Sequence, residues 1–347
     1  MPERVDVLVV GGGPAGALAA QEAAKAGAQV LLIDKKRRFG ALPHCAEFVP
    51  RLLAREVDFP ERSQVQPVEG MNTILLGEQH YTPGPGWILD RQVFDHGLVL
   101  AAAQAGARVW AGAKLMGRRG DAWEIQRGAR KISLTPGAVV AADGAASLTA
   151  RLTGWPSQTL MAGVQMQVPL AQPLKRTQVY LEQAVRHGYA WLFPRGRAAN
   201  LGLGCRVEAK PQKRLDERRA RLIELGLILP GVLALAGGAI PVGGPRDEMA
   251  RGRVLLAGDA AGLTHAVTGA GIPQAVFSGA EAGKAAARLA GGQNEAGEEY
   301  QNEVLARYGK HLARGLAARQ EMERGWDADD FAGLMARTWP AWGGCGV

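Results

Sequence analysis

The chain has 347 residues, 47% hydrophobic and 21% charged, a balance that excludes a disordered or fibrous chain and is long enough for two lobes. Its formal net charge of +8 suits phosphates or an anionic surface, yet no helix-turn-helix, zinc-finger or RNA-binding motif is present, so nucleic acid is not an expected partner. The three cysteines, Cys45, Cys205 and Cys345, form no C-x-x-C pair, which argues for a reducing compartment and no metal site.

Residues 5–34 read VDVLVVGGGPAGALAAQEAAKAGAQVLLID. The apolar run at the start predicts a buried parallel strand, and its early position predicts no signal peptide. Gly11, Gly13 and Gly16 then form G-x-G-x-x-G, which gives a tight turn, close backbone approach to a pyrophosphate and close helix packing. Pro14 and Ala15 open an alanine-rich helix whose first amides favour a phosphate. Asp34 ends the next strand, where an acid bonds a ribose hydroxyl. Strand, glycine turn, helix, strand and acid together predict a dinucleotide site, for NAD or FAD before NADP. Lys35 begins a KKRR run, read as a solvated loop or a charge contact to the adenosine side.

Pro43-His44-Cys45-Ala46-Glu47 follows as a loop, where a lone cysteine reads first as a small buried hydrophobe. Residues 68–81 read as strands that end in a turn cluster, Pro83-Gly84-Pro85-Gly86. Arg91 opens a helix with a stripe at Leu98, Ala102 and Ala105. Residues 110–134 split into alternating segments, a small antiparallel meander. Residues 138–142 are a buried strand closed by Asp143-Gly144.

Strands are expected at 164–168, 178–181 and 200–207, and a helix at 215–227. In GYAWLFP, residues 188–194, Tyr189, Trp191 and Phe193 share one strand face, with Ala190 and Leu192 on the other. Such a face is either plain core or the wall of an apolar pocket. Residues 226–244 are uncharged and long enough to suggest a membrane span, but their prolines and glycines argue for strand and turns. RVLLAGDA is a buried strand closed by Gly258 and Asp259. Thr268-Gly269-Ala270-Gly271-Ile272 opens a long helix of small residues, with bare amides suited to an electron-rich oxygen. The chain beyond 295 is helical and charged and ends near Trp339 and Trp342.

GGGPAG, ADG and LLAGDAAG, in that order, resemble the motifs of the two-lobed FAD-dependent oxidoreductases typified by p-hydroxybenzoate hydroxylase. Arg91 also opens a full match to R-x-x-F-D-x-x-L-x-x-x-A-x-x-x-G-A-x-V. The resemblance implies an α/β fold: a Rossmann-type FAD-binding domain with an inserted meander (1–60, 87–156 and 248–290), an antiparallel-sheet substrate domain (61–86 and 157–247) and a short helical C-terminus (291–347). It implies cofactor contacts from Gly11, Gly13, Pro14, Ala15, Gly16, Asp34, Lys35, Cys45, Ala46, Arg91, Asp143, Gly258, Asp259, Gly269, Ala270, Gly271 and Ile272, with Asp259 on the ribitol chain.

A narrower resemblance is to the geranylgeranyl reductase family, flavoenzymes that saturate isoprenoid double bonds in lipids, quinones or chlorophyll precursors. Tyr189, Trp191, Phe193 and Pro194 match its Y/W-x-W-x-F-P strand. Pro43, Cys45, Ala46 and Glu47 resemble its cysteine loop, and TGAGI its G-x-G-I at the flavin. Phe48 departs from a usual glycine and Ala266 from a usual proline, and the chain is short beyond residue 289.

The family implies hydride delivery from reduced FAD to one alkene carbon and a proton to the other. Tyr189, Trp191, Phe193, Pro194 and His265 would form the substrate pocket, with Tyr189 and Trp191 facing a developing cation. Cys45 is the candidate acid, with His44, His265 and Tyr189 as alternatives. The amides of residues 269–272 would stabilise negative charge on the reduced flavin. NADPH, NADH or ferredoxin is the expected electron donor. A flavin monooxygenase or halogenase on the same fold, or an isoprenoid-binding flavoprotein without turnover, are the alternative functions. The expected location is cytoplasmic, peripheral on the inner face of the membrane, where Trp339 and Trp342 are either interfacial or packing residues.

Overall fold

Four buried residues, Val7–Val10, form the first strand, β1, because apolar side chains on both faces suit the middle of a parallel sheet. The computed structural model describes residues 5–41 and 45–342. Pro43, His44 and Cys345 lie outside the described residues. After β1 come α1 (Pro14–Lys25), β2 (Val30–Asp34), β3 (Phe48–Pro50), β4 (Gln64–Leu75), β5 (Glu78–Leu89), α2 (Arg91–Gln104) and β6 (Arg108–Ala111). β7 (Ala113–Arg119), β8 (Ala122–Arg127), β9 (Arg130–Leu134), β10 (Ala138–Ala141) and α3 (Leu148–Leu152) follow. The chain continues through β11 (Leu160–Pro169), β12 (Thr177–Leu181), β13 (Tyr189–Arg195), β14 (Ala198–Cys205), α4 (Pro211–Glu224) and β15 (Ala234–Pro241). It ends with β16 (Ala250–Arg251), β17 (Val254–Leu256), α5 (Ile272–Ala290), α6 (Ala296–Val304), α7 (Lys310–Gly325) and α8 (Phe331–Thr338).

One sheet has the order β16-β17-β10-β1-β2-β6 and is parallel except for β16. The expected meander is the separate three-stranded sheet β7-β8-β9, which buries Leu115, Trp123 and Ile125 in the same core. Against this sheet α1 and α5 pack backbone to backbone. A Cβ on Gly279 would lie 2.2 Å from the Ala15 carbonyl oxygen, and one on Gly283 would lie 2.3 Å from that of Ala19.

The second sheet has the order β15-β11-β14-β13-β12-β4-β5-β3. It is antiparallel apart from one pair, β12 with β4, which run parallel. The alternation expected in β13 is present. Ala190 and Leu192 face a core that holds Leu215 and Leu222 of α4. Trp191 and Phe193 face Met322, Trp326, Leu334, Met335 and Trp339. The aromatic face is therefore roofed by the C-terminal helices.

Several expectations are corrected. Pro83-Gly84-Pro85-Gly86 is not a turn but part of β5. β3 pairs only with Gly86, Trp87 and Ile88, so both prolines lie where one side of β5 has no partner strand, a position that tolerates proline. β3 and Trp87 pair within the eight-stranded sheet, while Val49 and Trp87 pack against the core of the parallel sheet. The helix expected at 215–227 starts earlier, because Pro211 supplies a favourable first-turn residue. Trp339 is buried and donates its indole N–H to Thr73 Oγ1 at 3.2 Å, so it is a packing residue and not an interfacial one. Residues 226–244 hold turns and β15, and among the described residues no helix is long and apolar enough to cross a membrane.

Candidate active site

The glycine turn is built by close approach: a Cβ on Gly16 would sit 1.8 Å from the Gly11 carbonyl oxygen. At Gly13, the N-cap just before α1, nothing stands within 4 Å of an added Cβ. The free amides of the first turn of α1 thus open onto unobstructed space, as a pyrophosphate requires. Asp34 closes β2 beside this turn. Its Oδ2 accepts the Gly12 amide at 2.7 Å and its Oδ1 accepts that of Lys36 at 2.7 Å, so it also holds the turn in shape. Lys35 is exposed, in keeping with a solvated loop. Asp143 caps α3: it accepts the Ser147 hydroxyl and, at 3.0 Å each, the Thr149 amide and hydroxyl. Its carboxylate is engaged there and not with the outward side of the turn.

The late motif forms the other end of the cleft. Asp259 accepts the Thr264 hydroxyl at 3.1 Å, and burial pushes its carboxyl up while Thr264 and the Arg91 guanidinium oppose the shift. The amides expected at 269–272 are partly used within the loop. Gly269 donates to the His265 carbonyl at 2.8 Å and Ala270 to Thr268 Oγ1 at 3.4 Å. Because Pro273 has no N–H, Ile272 and Gln274 carry the orphan amides at the start of α5. The buried Oε1 of Gln274 also has no partner among the described residues. Open amides at both helix starts, an orphaned buried amide oxygen and a buried acid fit a long dinucleotide with polar groups at both ends.

Between these ends lies a tightly bonded cluster. Arg91 grips Asp95 through Nε at 2.8 Å and Nη2 at 3.0 Å. Glu47, buried and held at φ 72°, accepts the Arg91 amide at 3.2 Å on Oε1. Its Oε2 accepts Arg195 Nε at 3.0 Å and Asn200 Nδ2 at 2.8 Å. Arg195 reaches on to Asp90 at 2.7 Å, and Asp90 caps α2. The Ala46 carbonyl also accepts from Asn200 at 3.4 Å. These bonds fasten the cysteine loop to α2, β13 and β14.

Cys45 Sγ accepts the Glu47 amide at 3.3 Å. Burial raises its thiol pKa above the usual range, against the pull of the Arg91 guanidinium. Gln165 donates to the Cys45 carbonyl at 3.1 Å and accepts the Trp191 indole N–H at 3.1 Å. Tyr189 stands 5.7 Å from Trp191 and 4.9 Å from Trp339, centroid to centroid. Its hydroxyl donates to the Thr268 carbonyl, and burial raises its pKa well above that of a free phenol. Phe193 meets Phe48 edge to face at 6.4 Å, and Pro194 is buried opposite Ala199.

Cys45, Arg91, Asp259, Tyr189 and Trp191 are thus brought together. His265, expected in the pocket, lies behind Thr268, whose amide it accepts at 3.2 Å. Its ring packs on Gly315 of α7 and stands 4.9 Å from His311, and burial lowers its pKa to about 4, with His311 adding to the shift. Gln165, Asn200, Arg195 and Asp90 were missed in the sequence, where no local pattern marks them. Their partners are distant in the chain, and only the sheet register brings them together.

A parallel sheet with a phosphate-accepting glycine turn, set beside an antiparallel sheet whose aromatic face meets a buried acid and cysteine, defines an FAD-dependent oxidoreductase. The family model described as FAD dependent oxidoreductase matches residues 6–42. Over 94% of its length the chain is 31% identical to digeranylgeranylglycerophospholipid reductase 3 of Methanosphaera stadtmanae, covering 89% of that protein. The chain therefore belongs to the geranylgeranyl reductase family. A geranylgeranyl bacteriochlorophyll reductase-like protein of Thermoplasma acidophilum shares the fold with a TM-score of 0.85 at 24% identity, covering 98% of both chains. A flavin-dependent halogenase shares it less closely, with a TM-score of 0.70 at 16% identity over 95% of this chain and 66% of the other.

Proposed function

We propose that the protein saturates isoprenoid double bonds of a lipid, with a digeranylgeranyl glycerophospholipid as the substrate class. The relative named above supports the substrate. The observation that carries the reading is the Gln165 bridge, which ties the Cys45 loop to the aromatic strand at Trp191. FAD, when bound and reduced, supplies the hydride. Gly13, Asp34 and the first turn of α1 would hold its adenosine diphosphate end, while Arg91, Asp259 and the Ile272 and Gln274 amides would hold the other.

The chain's own residues do the rest. Cys45 holds its proton at Sγ at neutral pH, because burial raises its pKa. Once that proton is given to the alkene carbon, the adjacent Arg91 guanidinium stabilises the thiolate. Tyr189 is less suited as the acid, since its proton is committed to the Thr268 carbonyl. His265 is neutral at pH 7 and stands behind Thr268. The faces of Tyr189 and Trp191 stabilise positive charge that develops on the prenyl chain. Trp191, Phe193 and the roof at Trp339 exclude water. The electron donor is a nicotinamide or a small electron-carrier protein such as ferredoxin, and the protein works on the inner membrane face without spanning it. The two sheets correspond to a cofactor unit and a substrate unit, with the chain from 291 closing the latter.

The test is anaerobic. The bound FAD is reduced with dithionite, a digeranylgeranyl lipid is added, and flavin absorbance and lipid mass are followed. Reoxidation with two hydrogens gained per double bond is expected. If oxygen alone reoxidises the flavin and the product is hydroxylated or halogenated, the monooxygenase reading replaces this one. If neither occurs, the aromatic strand is core or a binding wall, and the reductase reading fails while the FAD reading stands.

A further inference from the structure

Five large apolar side chains stand in solvent within one short stretch: Leu225 (52% exposed), Leu229 (48%), Val232 (44%), Leu233 (60%) and Leu235 (60%). They occupy the connection after α4 and the start of β15, the edge strand of the eight-stranded sheet. The backbone fixes them. Leu227 donates to the Leu222 carbonyl at 3.0 Å, Leu229 to that of Pro169 at 2.9 Å and Leu233 to that of Gln167 at 2.8 Å. Ile228, at 1% exposure, anchors the segment.

The patch is continuous with a known face of the sheet. Leu235 pairs with Met166, and directly paired residues point to the same side. Met166 belongs to the core beneath α4. Leu233 lies in the bend just before β15, its amide held by the Gln167 carbonyl. Contiguous apolar exposure of this kind marks an interaction surface, and an apolar edge strand left in water invites wrong pairing.

Charge selects the partner. Residues 225–245 contain no charged side chain. Beside them, Lys210, Lys213, Arg214, Arg219 and Arg221 outnumber Asp216, Glu217 and Glu224 along α4 and its start, with Arg214 paired to Glu217 and Arg221 to Glu224, while Arg218 turns inward to Glu182 and Tyr180. Arg197 is exposed, and its carbonyl accepts the amide of Leu170, which is itself bridged to Ile228. An apolar tip within a basic rim matches a bilayer with anionic headgroups, where leucines enter the acyl boundary and cations meet phosphates. A second copy of this chain would instead set two basic rims against each other.

We propose that this patch seats the protein on an anionic lipid bilayer, with Leu229, Leu233 and Leu235 entering the acyl boundary. The proposal rests on reading the substrate as a membrane lipid and adds where that lipid is met. Ala236, next to Leu235, pairs with Gln165, which is bonded to Trp191. The seated edge strand is three strand positions from β13, roughly 14 Å at ordinary strand spacing. A prenyl chain leaving the bilayer has that distance to cover.

Flotation of the FAD-loaded protein with vesicles of phosphatidylcholine and phosphatidylglycerol, free of isoprenoid lipid, tests this alone. The intact protein is expected to float, and a Leu229→Asp, Leu233→Asp double variant to partition at least about tenfold less, with unchanged flavin spectrum and elution volume. Should the aspartates prevent folding, the Leu229→Ser, Leu233→Ser pair gives the same comparison. Equal flotation of the variant, or an intact protein that stays down, overturns the proposal. So does a dimer that the double substitution splits, which makes the patch a subunit interface. Because the vesicles hold no substrate, a failed reductase assay and a failed flotation remain separate results.

Discussion

Cys45 and Trp191, 146 positions apart in the chain, are joined through one side chain, the amide of Gln165, with a bond of 3.1 Å to each. Gln165→Leu leaves a buried indole N–H without an acceptor and the Cys45 carbonyl without this donor. The expected loss of stability is about 1–3 kcal/mol, read from urea melts. Lipid-dependent reoxidation of the flavin should slow while FAD remains bound. Gln165→Glu keeps an acceptor for Trp191 and should recover most of the stability but not the rate. A Leu variant with the intact protein's rate would show that the bridge is structural only.

Cys45→Ala removes the proposed proton donor and little else from the cluster. Reoxidation by lipid should fall about 100-fold, the usual size of a general-acid contribution, with flavin content unchanged. Because burial raises this thiol's pKa against the pull of Arg91, iodoacetamide should alkylate it more slowly at neutral pH than it alkylates a free thiol. Rapid alkylation at pH 7 would contradict the assignment.

His265 gives the fold a pH dependence of definite sign. Its folded pKa of about 4 lies below the ordinary imidazole value. The folded state therefore binds its proton later than the unfolded chain as pH falls. The stability held by the neutral ring is complete above about pH 6.5 and is lost as pH falls through 4, on the order of 3 kcal/mol in all. His311, 4.9 Å away and shifted in the same direction, adds to it. Urea melts from pH 7 to 4 should show the loss, and His265→Gln should flatten it. Parallel curves for the two proteins would remove His265 as the cause.

Gly279→Ala places a methyl group where the Ala15 carbonyl oxygen now lies. α1 and α5 must separate, at about 1–3 kcal/mol for overpacking. Since α1 carries the glycine turn, the purified variant should retain less FAD. A full complement of flavin together with an unchanged melting curve would mean that the helices have slack.

The cofactor half was readable because its signals are local: glycines at fixed spacing, an apolar strand before them and Asp34 after the next. The sharing of one face by Tyr189, Trp191 and Phe193 was equally readable, since strand alternation decides it. What covers that face was not. Trp339 reaches Tyr189 and Thr73 from the far end of the chain, and nothing in its neighbouring sequence distinguishes that from exposure to lipid. The prolines of β5 misled because edge position, a property of sheet order, decides whether a missing N–H matters. Glu47 was visible only as a motif letter. Its partners Arg195 and Asn200 come from β13 and β14 through tertiary register.

Thr268 stands between two neighbourhoods. Its carbonyl accepts the Tyr189 hydroxyl, its amide donates to His265, and its own hydroxyl accepts the Ala270 amide in the turn before α5. A displacement of that turn is therefore a displacement of Tyr189. A shift of the turn on cofactor binding should therefore reach the Tyr189 ring, so that flavin and an isoprenoid lipid change each other's affinity by one common factor. Flavin titrations with and without lipid would read that factor, and identical curves would show that the Thr268 contacts carry no coupling.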